Sequence, residues 1–428
     1  MAHILRVCQS AGLLKGKKQQ RTDATHVLAN VRILNRRELV GETMRRALDD
    51  IAQLEPAWLK RHIQPGWKQR YSRKVDLYRI RNNQPQKQAL SQAIGEDGQV
   101  LLQAIDQADC PVTIKRLVSV SVLRQVWIQQ YYQVDQTIQW RTKKEYGLPP
   151  SRQMIGSPDD LDARYSAKGE LTWTGYKLHL TETCADDEPH LITQVETTIA
   201  TTTDDQVTET IQDDLISRDL GPEAHWGDGA YTNADLWLKA QAKGIELIGP
   251  MHYDRSWQAK LAGGYDQAKF SIDWGQMVAT CPEGERSIKC QSQKKATGHA
   301  YFNFVFSLTA CKACPARPRC TRAKKNGRQL SVRPQAAYEA LQQARQRQQT
   351  QEFKGLYHRR AGIEGTMGQA ANKKGGRRSR YLGVAKTHLQ HIATAAAINL
   401  ERGARWLMND RPEKTRVSPF AALVSPAT

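Results

Sequence analysis

Three carboxylates in this sequence stand where a carboxylate is out of place. Asp23 lies in RTDATHVLA, a β-branched run that reads as a strand, where aspartate is disfavoured. Asp228 lies in WGDGAY at the end of another strand-like run, between two glycines that leave room for a ligand or a second backbone. Glu364 is the only acidic residue between 353 and 400, a window that holds nine lysines and arginines. Such isolation suits phosphoryl transfer on a polyanion. That chemistry asks for in-line geometry and divalent cations on the attacking and leaving oxygens rather than covalent help. Magnesium, or manganese in its place, takes hard oxygen ligands and keeps several waters, so a few carboxylates suffice. Each residue also has a plainer reading. An aspartate in a strand or turn is usually a cap or a solvated group, and Glu364 can pair with Arg360 at helical spacing i, i+4.

The second constellation is Cys311-x2-Cys314-x5-Cys320, preceded by Cys281 and Cys290. Cys-x2-Cys puts two thiolates on one tight turn at the separation tetrahedral zinc requires, with the fourth ligand drawn from a distant loop. Cys281, in TCPEG, is the better fourth candidate because Cys-Pro recurs at Cys314-Pro315. Four thiolates leave no open position, so the zinc would be structural. The alternative is a small β unit with reduced, metal-free cysteines. Residues 311–330 carry seven lysines and arginines and no acid, which suits a grip on DNA.

The elements that must position these residues follow from periodicity. Residues 19–30 read as a strand, and 31–140 turn helical, with Leu39, Met44, Leu48 and Ile51 at helical spacing. The Gly- and Pro-rich stretch 141–168 reads as a loop. Strand-like runs at 171–183 and 190–201 precede a helix marked by Val207, Ile211 and Leu215. A strand ending in HWGDGAY, a helix through about 242 and the short strand GIELIGP complete an α/β alternation. Residues 251–335 break that rhythm with five of the eight cysteines. A glutamine-rich segment, 341–351, leads into one helical run over about 352–372. A last helix spans 384–407 with Leu389, Ile392, Ala396 and Leu400 on one face. The tail from Asn409 reads as disordered. His388 and His391 at i, i+3 read as solvated or core histidines, and Trp173 and Tyr176 as strand packing.

Composition narrows the partner. The formal net charge is +20, and neutralising phosphates releases condensed counterions, so a nucleic acid is favoured. No stretch of eighteen apolar residues exists, which gives no reason for a membrane span. The opening MAHILRVCQSAGLLKGKK is no convincing signal peptide, and eight clustered cysteines suit metal ligation in a reducing cytoplasm.

Taken together, the triad and its contexts resemble the DDE transposases of bacterial insertion sequences. Tyr357-x2-Arg360-x3-Glu364 resembles that group's signature around the third carboxylate. RTDATHVLANVRILNRRELVGETMR and WGDGAYTNADLW resemble the two aspartate segments of one branch, and RAGIEGTMGQ with YLGVAKTHLQHIATAAAINLERGARWL its C-terminal region. The resemblance implies an α/β, ribonuclease-H-like core, with 31–168 as a helical insertion and loop and 251–335 as a small cysteine-rich insertion. Residues 1–30 would be an N-terminal remnant and the first catalytic strand, 169–250 the core, 336–408 the catalytic C-terminal helices and 409–428 a tail. Asp23, Asp228 and Glu364 would hold magnesium, while Tyr357, Arg360, Lys373 and Lys374 would contact DNA. A homodimer follows from the two ends of an element, and a nucleoid-associated cytoplasmic location from the partner. Ala24 stands where relatives often have serine, and the lysine expected seven residues past the glutamate falls on Ala371. A DNA-binding remnant and a host nuclease on the same fold are the rivals. Because Asp23 comes so early, recognition of specific DNA ends is expected to be poor.

Overall fold

The computed structural model describes residues 1–15, 19–75, 83–135, 137–294, 300–410 and 423. Its organising element is β1, Gln19–Leu28. β1 pairs antiparallel with β3 (Leu171–Thr183) and parallel with β5 (Ala224–Trp226). β3 in turn carries β4 (Ile192–Ile199) antiparallel, and β5 carries β6 (Glu246–Ile248) parallel. The strand order is therefore β4-β3-β1-β5-β6, with β2 (Arg164–Lys168) paired to the first residues of β3. That last strand lies within the stretch read from sequence as loop. The polar, alternating RYSAK offers little apolar signal, and Gly169 at φ +62 turns it into a hairpin.

Cross-strand register decides which side chains share a face. Arg21, Asp23, Thr25 and Val27 stand opposite Glu182, Leu180, Leu178 and Tyr176. This face is covered by α9 (Ile363–Gly368) and α10 (Val384–Leu407), whose Ile363, Met367, Ala395 and Ile398 join Val27 and Leu178 in one core. Each of the larger of these side chains contributes about 1.5–3 kcal/mol when fully buried. The opposite face packs under α1 (Ala2–Ser10) and α5 (Asp205–Ser217) through Leu5, Leu14, Ile211 and Leu215.

Two further units have cores of their own. Helices α2 (Arg36–Leu54), α3 (Gln84–Asp106) and α4 (Val118–Gln130) close around Met44, Trp58, Leu101 and Trp127. A capping box, Asn35 with Glu38, starts α2. The second unit is a three-stranded sheet of β7 (Lys289–Lys294), β8 (Ala300–Val305) and β9 (Gln329–Val332), packed around Phe270, Phe304 and Leu330. The chain returns from it along α7 (Gln335–Arg347), tied to α6 (Ala234–Ala242) by an Arg333–Asp235 ion pair at 2.6 Å. The glutamine-rich stretch is thus largely the end of α7.

Two helical expectations need correcting. Residues 352–372 are not one helix: α8 (Gln351–His358) gives way to a 3-10 turn at 359–362, then α9, then a π turn at 369–373. Gly362, Gly365 and Gly368 weaken helical continuity, and Arg21 takes the Arg359 carbonyl at 2.7 Å. α10 has the expected ends but buries a different face. Leu389 and Leu400 are 65% and 59% exposed, while His391, Ala395, Ile398 and Asn399 are buried. The reason is polar: Asn399 both donates to and accepts from the Ile192 backbone of edge strand β4, each at 2.8 Å. The expected disorder of the tail concerns residues that, save 409, 410 and 423, lie outside those described. Among the described residues no helix is long and apolar enough to cross a membrane.

Candidate active site

β1 and β5 run parallel with Arg21 level with Trp226, so Asp23, midway along β1, and Asp228, just past the end of β5, each stand two residues beyond that pair and come side by side. Asp228 thus lies at the carboxyl end of a parallel strand, where α/β sheets gather ligands. Asp228 is fixed by its own turn, its Oδ1 accepting from Ala230 N–H at 2.8 Å. The glycine before it, Gly227, leaves no room for a side chain, since a Cβ there would overlap Tyr231, and its carbonyl lies against Gly249, where a Cβ could not fit either. Asp23 accepts from Ala24 N–H at 2.8 Å through Oδ1 and from Arg360 Nη2 at 2.6 Å through Oδ2.

Arg360 is the hub. Besides Asp23 it reaches Glu364 through Nη1 at 3.3 Å, so the i, i+4 pair anticipated as the plain reading is present. Its Nε is buried and meets no acceptor of good geometry. Tyr357 lies beside it, half-buried and stacked on Phe353 at 5.8 Å. Trp226, from the strand before Asp228, donates its indole N–H to the Leu356 carbonyl at 3.1 Å and so ties β5 to the Tyr357 turn. The side chain of Glu364 is 67% exposed, that of Asp23 15%.

Electrostatics follow from this crowding. Burial pushes the Asp23 carboxyl above its ordinary value; Arg360 and the Ala24 N–H oppose that, while Asp228 adds to it. Burial also pushes the Tyr357 phenol up, with Asp228 and Asp23 adding to the effect and Arg360 opposing it. The Arg360 guanidinium is held above its ordinary value by Asp23, Tyr357, Asp228 and Glu364, against the pull of burial.

Asp23, Asp228, Glu364, Tyr357 and Arg360 therefore come together. Lys373 and Lys374 do not join them. They line a separate cavity of about 830 Å³ with Arg402 and Arg405, and Lys374 pairs with Glu401 at 2.9 Å. Ala371, where a lysine was expected, is buried. Arg377 instead comes back to β1, donating to Thr25 Oγ1 at 2.7 Å, and Lys168 at the β2–β3 turn lies within the field of Asp23. Neither was found from sequence, since each depends on a return of the chain to β1.

The weaker signals take structural places. His391 is buried, bonded to Thr197 at 2.8 Å and pushed down to about 4 by burial, a core histidine. Trp173 is buried with its indole N–H on the Tyr176 carbonyl. Asp160 and Asp162 accept the Gly383 and Val384 N–H groups at 3.1 and 2.9 Å and cap α10.

Cys281, Cys311, Cys314 and Cys320 line one cavity of about 400 Å³. Burial pushes the Cys320 thiol up to about 11, and the other three sulfurs add to the rise. The Arg328 N–H donates to Cys311 Sγ at 3.4 Å. Cys290 is not in that lining. Among the described residues, no three His, Cys, Asp or Glu side chains stand in ready metal-holding geometry, here or at the carboxylates.

Residues 280–404 match the family described as a transposase DDE domain. The matched span holds Tyr357, Arg360, Glu364 and the four cysteines but neither aspartate. No curated protein and no solved structure matches the chain.

Proposed function

We propose that this chain, which carries a transposase DDE domain, cuts DNA at the ends of an insertion element and joins the freed ends to target DNA. The observation that carries the reading is the gathering of three otherwise isolated carboxylates around Arg360, where β5 ends beside the middle of β1. The order β4-β3-β1-β5-β6, with β1, β5 and β6 parallel, suits a ribonuclease-H-like core. In that reading the helical unit ahead of β2 and residues 251–335 are insertions, β2 itself belongs to the core sheet, and 336–408 brings the third carboxylate.

The donor chemistry fits magnesium. Asp23 and Asp228 repel one another, a conflict a divalent cation relieves, and both are hard oxygen donors. In the present arrangement Arg360 satisfies Asp23 in a cation's place. When bound by Asp23 and Asp228, with Glu364 completing the set, a divalent cation would supply positive charge for the attacking and leaving oxygens. The chain's own residues do the rest. Arg360 exchanges Asp23 for a phosphate oxygen, which also gives its Nε an acceptor. Tyr357, kept neutral by burial, donates a hydrogen bond to the same phosphate. Lys168 and Arg377 steady the flanking backbone beside β1. A 3′-hydroxyl released by the first cut then occupies the place of the attacking water. Two element ends call for two copies of the chain.

The four-cysteine cavity fits a structural zinc by donor type, since four thiols lining one cavity, Cys320 buried and the others part-buried, are relieved by a shared cation.

The test is a nicking assay on duplex DNA. Asp23→Ala, Asp228→Ala and Glu364→Gln should each lower magnesium-dependent cleavage by about 10³-fold or more, with duplex affinity nearly unchanged. Cleavage that survives loss of Asp228 overturns the assignment. Binding without cleavage in the wild type favours a DNA-binding remnant.

A further inference from the structure

Behind the carboxylates lies a charge that none of the foregoing uses. Glu182 is fully buried on β3, directly opposite Arg21 of β1 in the sheet register. Its Oε1 accepts a hydrogen bond from Arg21 Nε at 2.8 Å and stands 2.7 Å from Nη2 as an ion pair. Its Oε2 accepts from Thr366 Oγ1 at 2.6 Å and from Arg402 Nη1 at 2.8 Å. Every partner leads towards the active site. Arg21 shares a strand and a face with Asp23, and its Nη1 donates to the Arg359 carbonyl at 2.7 Å. Thr366 lies two residues past Glu364 on α9. Arg402, on α10, also donates through Nη2 to Thr366 at 2.7 Å and Gln369 at 3.0 Å.

We propose that Glu182 is a positioning residue that fixes the segment bearing Arg360 and Glu364 against the strand bearing Asp23. The segment is pinned at both ends, at Arg359 through Arg21 and at Thr366 directly, with Arg360 and Glu364 between the pins. Gly362 supports this independently. A Cβ there would overlap the Arg21 guanidinium, so the 3-10 turn is shaped to admit that side chain. A short helix broken on one side by a 3-10 turn and on the other by a π turn has little stiffness of its own. Its alignment must come from outside, and a carboxylate hydrogen-bonded to Arg21, Thr366 and Arg402, on three other segments, supplies it. A fold staple would tie any elements together. This one ties the two that carry the first and third carboxylates, and its consequence for catalysis rests on the transposase reading above.

The experiment uses the full chain and two variants. Glu182→Gln keeps shape and removes charge, and Thr366→Val keeps volume and removes the hydroxyl that meets Glu182. Amide hydrogen exchange should quicken by about 10-fold in peptides covering 359–373, while 19–28 and 171–183 keep wild-type rates. In the nicking assay the half-saturating magnesium concentration should rise by about 10-fold, as for groups that orient metal ligands, with duplex affinity unchanged. Unchanged exchange at 359–373, or equal quickening throughout, overturns the proposal. If Glu182→Gln does not fold, Thr366→Val decides. If the wild type cuts no DNA at any magnesium concentration, the transposase reading fails, and exchange alone still decides whether Glu182 docks the segment.

Discussion

Asp23 carries a charge its surroundings resist. Burial outweighs the help of Arg360 and the Ala24 N–H, so its carboxyl sits above the ordinary carboxylate value. The sign of the stability effect follows. Between the ordinary value and the raised one, the folded chain holds a proton that the unfolded chain has released, so stability falls as pH rises through that window and stays lower above it. At neutral pH Asp23→Asn should therefore raise the melting temperature in metal-free buffer while removing cleavage. The rise should be a few degrees, since about 1 kcal/mol moves the midpoint by roughly 2–4 °C in domains of 150–250 residues. Magnesium should stabilise the wild type and not the variant. Differential scanning calorimetry with and without magnesium checks both. A variant less stable than the wild type without metal would mean that the Arg360 pair outweighs the burial.

At the scale of elements, the prediction of a structural zinc belongs to the cysteine-rich unit. Its core cluster is small, built on Phe270, Phe304, Phe306 and Leu330, and four thiols line a cavity at its edge. Protein purified under reducing conditions should hold about one zinc per chain, and Cys311→Ser with Cys314→Ser should release it and speed proteolysis within 251–335. Elemental analysis finding no zinc in folded protein would leave the cysteines as metal-free packing. Much of this element map was legible beforehand. β1, β3 and the ends of α10 follow from β-branched runs and helical spacing, which act locally. What escaped depends on partners far along the chain. The buried face of α10 is set by Asn399 bonding an edge strand, and the break at Gly362 by Arg21 reaching across from β1. The carboxylates were legible because isolation in a basic window is visible in one dimension. Glu182, inside the unremarkable run LHLTET, has no such mark, because its arginines stand more than a hundred residues away in either direction.

The whole molecule adds a long-range field to these local contacts. Its net charge of +20 lies on a chain whose described carboxylates are often already paired, such as Glu182, Asp97 and Asp204. Much of the surplus is therefore available to phosphates. Exposed lysines and arginines attract the backbone of any duplex alike, because backbone contacts carry no sequence information. Affinity should then fall steeply with salt, with log K declining by nearly one unit of slope per phosphate neutralised. A protein engaging about six phosphates loses on the order of 10³-fold between 50 and 200 mM salt. Discrimination between element ends and scrambled duplex should be small, under about 10-fold, against the roughly 10³ or more of specific binders. Fluorescence anisotropy across a salt series, with end-derived and scrambled oligonucleotides in competition, measures both quantities at once. A shallow salt slope with strong preference for the ends would locate base-reading contacts within this chain, and the helical unit around Trp58 and Trp127, whose exposed Val118 and Ile128 face away from its core, would be the first place to look for them.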